Sequence, residues 1–166
     1  DKRLLAGTDQ GISDIDLQGT RPVIRTFSSD QGLQDNIARV VKATGAAGKY
    51  WVGAQQGGLS VYDSRNHTCY RLKINDNWQW GQVNDILPVS PRKAWVATDD
   101  GYLLEIRMIS GDSATVSSYA CSDKKINTML LDKSGNIWCA TSKGISLVTA
   151  EFLNYFSLAT PFSLSE

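Results

Sequence analysis

The sequence predicts an all-β fold made of one repeated sheet, and three observations carry that prediction. Short apolar runs alternate with tight turns rich in Gly, Asp, Asn and Ser along most of the 166 residues, which reads as strands joined by hairpins. The pattern is also self-similar: Leu5, Trp51, Trp95 and Trp138 share one phase of it, at spacings of 46, 44 and 43 residues. A period in the forties built only of strands marks a repeat architecture. Finally, the strand around each indole is apolar on both sides. Trp51, Trp95 and Trp138 share a face with Gly53, Ala97 and Ala140, while Val52, Val96 and Cys139 take the opposite one. Such a strand must be covered on both faces, and four-stranded sheets stacked around an axis cover it. The expected fold is therefore a β-propeller fragment of about four blades, the first incomplete, with Trp51, Trp95 and Trp138 in its structural core.

In chain order, the whole of 1–166 is one partial propeller domain, with blades at about 1–35, 36–80, 81–123 and 124–160. Arg3–Thr8, Gly11–Leu17 and Pro22–Phe27 are three strands of a blade whose inner strand is missing. Pro22 is tolerated at the start of an outer strand. Ser28–Asp35 is a polar connection in which Leu33 plugs the gap between blades. The second blade is Ile37–Lys42, Lys49–Ala54, Gly58–Asp63 and Thr68–Lys73, with Thr44–Gly48 an enlarged first turn. The third is Val83–Pro88, Lys93–Thr98, Tyr102–Arg107 and Ala114–Ala120. The fourth is Ile126–Leu131, Asn136–Thr141, Gly144–Thr149 and Phe152–Ser157, and the 158–166 tail has no assigned role. No helix is predicted. A start inside a strand pattern implies excision from a longer chain.

Charge and motif content exclude several function classes. Lys+Arg and Asp+Glu balance at 17 each, which leaves no electrostatic footprint for nucleic acid. No apolar run is long enough to span a bilayer and no leader pattern is present, so neither membrane contact nor a signal peptide is expected in this stretch. Cys69, Cys121 and Cys139 are far apart and odd in number, and form neither a disulfide framework nor a zinc site. Cys139 reads as a small buried hydrophobe. No nucleophile elbow, zinc-protease motif or P-loop occurs, so no catalytic residue, metal or cofactor is expected. His67 reads as an exposed loop residue. Asp14/Asp16 and Asp99/Asp100 are paired acids of the kind that cleave glycosidic bonds, yet turns and strand ends favour Asp for local bonding alone. Asn66-His-Thr68 matches a glycosylation sequon by chance.

The repeat has a recognisable form: an apolar strand, Asp-x-x-Gly, an apolar residue, Trp, a small residue and Thr, then x-x-Gly-aliphatic. LLDKSGNIWCATSKGISLV fits it best, followed by LLAGTDQGI, YWVGAQQGGLSVYD and AWVATDDGYL. This resembles the two-component regulator propeller repeat over about residues 3–157. Blade two departs in lacking the Asp and carrying Ala54, and blade three has Ser90-Pro-Arg-Lys93 in place of Asp-x-x-Gly. WD and kelch patterns fit less well, and Asp132–Trp138 resembles an isolated Asp-box. The resemblance implies the periplasmic sensor region of a hybrid two-component histidine kinase of Bacteroidetes, with the kinase elsewhere in the intact protein. It implies binding of a carbohydrate without catalysis; a fragment of a polysaccharide-cleaving propeller enzyme is the alternative.

Two stretches suit a ligand. Asn75-Asp-Asn77-Trp78-Gln-Trp80 joins two blades at a propeller face, and indoles among amides suit stacking on an oligosaccharide. One of the two indoles also suits the plugging position of Leu33. The second-turn residues Asp9/Gln10, Gln55/Gln56, Asp99/Asp100 and Ser142/Lys143 ring the expected axial mouth. Because half a propeller cannot close on itself, its end faces should be covered by the remaining blades of the intact protein or by self-association. Phe152, Phe156 and Phe162 folding back is a further way to cover them.

Overall fold

The computed structural model describes residues 2–74, 81–120 and 125–152. It consists of short strands in four separate sheets that follow one another along the chain. β1 (Arg3–Thr8), β2 (Gly11–Asp16) and β3 (Val23–Phe27) form the first blade. β4 (Ala38–Ala43), β5 (Lys49–Ala54), β6 (Leu59–Asp63) and β7 (Thr68–Arg71) form the second. The third contains β8 (Lys73–Ile74), β9 (Val83–Ser90), β10 (Lys93–Thr98), β11 (Tyr102–Ser110) and β12 (Ser113–Ala120). β13 (Ile126–Leu131), β14 (Ile137–Thr141) and β15 (Gly144–Val148) form the fourth. Neighbouring strands pair antiparallel throughout, except that β8 lies parallel to β12. This is the radial stack expected from the sequence.

The seams between blades follow one rule. The face carrying Trp51 packs against Val83, Ile86, Ala94, Val96, Leu104 and Ile106 of the third blade. The face carrying Trp95 meets Ile126, Met129, Ile137 and Cys139 of the fourth. In the first seam, Leu5, Ile12 and Phe27 meet Ala38, Val52 and Tyr62, with Leu33 of the connection filling the gap. Each indole face thus receives the opposite face of the next sheet. The small residue beside each indole makes room for the next inner strand: a Cβ on Gly53 would lie 2.4 Å from Val83 Cγ1, and one on Gly7 would lie 2.6 Å from the Ala38 carbonyl oxygen.

That rule also corrects the expectation for Trp138. Trp51 and Trp95 are 0% and 3% exposed, but Trp138 is 41% exposed. Its face points away from the third blade, and no further sheet follows it among the described residues. Cys139, on the covered face, is fully buried as expected.

Three further differences have local causes. β7 ends at Arg71, because Leu72 turns inward, and Lys73–Ile74 cross to the outer edge of the third blade. Ser29–Gln31 form a single 3-10 turn, closed by the Ser28–Gln31 side-chain pair. Phe152, expected to open an outer strand, instead lies in a helical turn that includes residues 150–152, and the rest of that predicted strand lies outside the described residues. The Phe152 ring sits 6.3 Å from that of Tyr119, against the third blade rather than over the open Trp138 face; Phe156 and Phe162 lie outside the described residues.

Candidate functional site

At one end of the stack, the turn after the second strand of each full blade lies beside the start of its inner strand. Gln55 N–H donates to the Ile37 carbonyl (3.1 Å), Asp99 N–H to Gln82 (3.0 Å) and Ser142 N–H to Lys125 (2.9 Å). The inter-blade connections reach the same end. Asp35 accepts from the Gln56 N–H at 3.1 Å, and Asp100 accepts from the Gly81 N–H at 3.2 Å. Predicted site residues Gln55, Gln56, Asp99 and Asp100 therefore share this end; Gln55 is half-buried and the other three are exposed. Trp78, Trp80, Asn75 and Asn77 lie outside the described residues. The segment that carries them ends next to Gly81, where the Asp100 carboxylate is anchored.

The inner strands add a feature that the sequence reading missed. Each full blade has a bulge at the same phase, leaving Arg39, Asn84 and Asn127 as the extra residue. Bulges re-aim side chains and gather near functional sites. Asn84 Nδ2 donates across the seam to the Ile126 carbonyl at 2.8 Å, while Arg39 and Asn127 are exposed at the same end. A signal was present: these polar residues precede their indoles by 12, 11 and 11 positions.

The paired acids are not equivalent. Asp14 is completely buried in the seam between blades one and two. Its Oδ2 accepts from the Tyr62 hydroxyl and, at 3.0 Å, from Arg3, with His67 Nδ1 3.4 Å away. Arg3 also donates to the Ser64 carbonyl at 2.7 Å, so the cluster ties the first blade to the second. Burial, then the bond to the Asp14 carboxylate, pushes the Tyr62 hydroxyl well above the usual phenol range. Two expectations change here. Asp14 is mid-strand and enclosed, which removes it from any external sugar, and His67 is a half-buried member of this lock rather than a free loop residue. Asp99 and Asp100 do sit at a turn. Burial pushes the Cys69 thiol up to about 12, leaving it inert. Among the described residues, no group of His, Cys, Asp and Glu is placed to hold a metal ion, and no helix is long and apolar enough to cross a membrane.

The first turn of the fourth blade shows why its motif contains Asp. Asp132 Oδ1 accepts from the N–H groups of Ser134 and Asn136, and Oδ2 accepts from the Trp138 indole, each at 2.9 Å. The indole, then Asn136, holds its carboxyl down at about 2. A group depressed in the folded state contributes stability above its unfolded pKa near 4, and that contribution is lost as pH falls through the folded value. Asp132→Asn should therefore flatten the drop in melting temperature between about pH 4 and 2. An unchanged acid limb on thermal scans would contradict this assignment.

Three comparisons place the chain among known proteins. No family model matches it, and no curated protein matches it. Solved structures do. The extracellular domain of BT3049 from B. thetaiotaomicron, described as a hybrid two component system, matches at a TM-score of 0.60 and 21% identity, over 89% of this chain and 19% of that one. The extracellular domain of BT4673 from the same organism matches at 0.53 and 17% identity, over 89% of this chain and 26% of that one. BT4673 is described as a one component system in that structure and as a hybrid two component system in another. The Myceliophteria thermophila Cps50 (Swd1) β-propeller domain matches at 0.66 and 12% identity, over 89% and 56% of the two chains. The fold is thus that of a β-propeller, of which this chain contributes consecutive blades. More particularly, it resembles the extracellular domains of Bacteroides two-component systems while spanning about a fifth to a quarter of their length.

Proposed function

We propose that these blades belong to the extracytoplasmic, periplasmic sensor region of a hybrid two-component histidine kinase and respond to a carbohydrate by binding alone. The observation that supports this reading most directly is the match to the BT3049 extracellular domain across 89% of the chain. The geometry agrees with it. The one deeply buried carboxylate of the paired acids is engaged by Arg3 and Tyr62, whereas the open end gathers amides, carboxylates and Arg39, groups suited to sugar hydroxyls. In the intact polypeptide, further blades would cover the two end sheets and a kinase would follow elsewhere.

Titration calorimetry against a panel of oligosaccharides, with chromatography of the recovered sugar, tests the reading. Binding without turnover is expected. Trp78→Ala, Trp80→Ala and Asp100→Ala should each weaken binding roughly tenfold if this end is the site. Cleavage of any glycan would sink the sensor reading, and unchanged affinity in all three variants would move the site elsewhere.

A further inference from the structure

The innermost tier of the candidate ligand end is built from hydrogen-bond donors. Its three bulge residues, Arg39, Asn84 and Asn127, lie on the inner strands, nearest the axis about which the blades stack. Arg39 and Asn84 each have a described blade on both sides, so their surroundings are set within the stack. Arg39 is exposed and, among the described residues, pairs with no carboxylate and no carbonyl. Its guanidinium therefore keeps five N–H donors for a ligand. The Asn84 amide is fixed in orientation: Oδ1 accepts from Gln82 Nε2 at 2.7 Å, and Nδ2 donates to the Ile126 carbonyl at 2.8 Å. One Asn84 N–H is left available, and Asn127 adds an exposed amide.

The carboxylates of this end belong to its rim instead. Asp35 lies in the inter-blade connection and Asp100 in the second turn, and each already accepts a backbone N–H, from Gln56 and Gly81. Sugar hydroxyls both donate and accept, so a rim of carboxylates and amides suits them. A tier of donors suits a group that only accepts, and a guanidinium fork matches the two oxygens of a planar carboxylate. We propose that the ligand is a uronate-bearing oligosaccharide, with one sugar carboxylate held by Arg39 and Asn84 near the axis and its hydroxyls held at the rim. This deepens the sensor reading and rests on its placement of the site at this end. Lys+Arg and Asp+Glu balance at 17 each over the chain, so the remaining surface offers no general attraction for anions. A preference for the acid would thus come from this tier.

Calorimetry with oligogalacturonate, oligoglucuronate and the methyl ester of each tests the proposal, because an ester keeps the shape of the sugar and removes its charge. One of the acids should bind at least roughly tenfold more tightly than its ester, and added salt should narrow the gap. Arg39→Gln should bind acid and ester alike. Arg39→Lys, which keeps the charge and loses the fork, should fall between. Both variants should keep the circular dichroism and melting temperature of the unaltered chain, since Arg39 is exposed and bonds to no described residue. Binding of neither acid would overturn the proposal. So would an acid preference that survives Arg39→Gln, or tight binding of neutral sugars with no preference for the acid, although this last result would leave the sensor reading intact. Cleavage of the acid, with the preference still lost in Arg39→Gln, would sink the sensor reading and leave the assignment of Arg39 standing.

Discussion

Trp51→Ala should destabilise the protein by roughly 3–5 kcal/mol, whereas Trp138→Ala at the same position of the repeat should cost under about 2 kcal/mol. The contrast comes from the neighbour and not from the residue. Trp51 is fully buried against the third blade, but Trp138 faces away from its own seam and remains 41% exposed. Losing up to 5 kcal/mol would consume much of the total stability of a typical domain. One detail lowers the expected figure within its range: the Trp51 indole N–H is buried without a hydrogen-bond partner, so its removal also relieves an unsatisfied donor. Trp51→Phe should accordingly cost less than the alanine change, about 1 kcal/mol. Denaturant unfolding of the three variants checks the order. Equal losses for Trp51→Ala and Trp138→Ala would mean that the open face is covered in solution.

The unpaired Trp51 nitrogen has a sequence cause that only the side-chain geometry reveals. Asp132, Ser90 and Thr44 occupy corresponding turn positions, and each accepts from the N–H two residues on, at 2.9, 3.4 and 3.1 Å. Only the carboxylate has a second oxygen with which to reach an indole. The loss of Asp from the second blade's turn was legible in the sequence; its cost to Trp51 was not. The strands themselves were readable because alternation and turn chemistry are local, and the predicted bounds of Arg3–Thr8, Lys49–Ala54, Lys93–Thr98 and Ile126–Leu131 match those observed. The bulges escaped because one extra residue in a six-residue strand resembles noise in the alternation until the copies are aligned. The burial of Asp14 and the exposure of Trp138 depend on neighbouring sheets, which no local pattern encodes. At the candidate ligand end, Gln56, Asp99 and Asp100 would be favoured in solvated turns whether or not a sugar binds there.

The inner strands provide the second large expected effect. Asp85 is 7% exposed and ties three blades together. Its Oδ2 accepts from the Thr128 hydroxyl at 2.7 Å and the Met129 N–H at 2.9 Å, both on the fourth blade. Its Oδ1 accepts from the Ile86 N–H at 2.9 Å and lies 3.3 Å from Lys42 Nζ on the second blade. Two explanations of its worth are separable by magnitude. The Lys42 side chain is 46% exposed, so that ion pair is screened and worth at most about 1 kcal/mol. The Met129 N–H is buried, and a buried donor left without an acceptor costs about 1–3 kcal/mol. Asp85→Ala orphans that donor together with the buried Ile86 N–H, while the exposed Thr128 hydroxyl turns to water, and should cost roughly 3 kcal/mol. Lys42→Ala should stay within about 0.5–1 kcal/mol, and Asp85→Asn, which retains one carbonyl acceptor, should fall between the two. Urea titrations of the three variants decide the matter. If Lys42→Ala costs as much as Asp85→Ala, the charge and not the hydrogen bonds joins these inner strands.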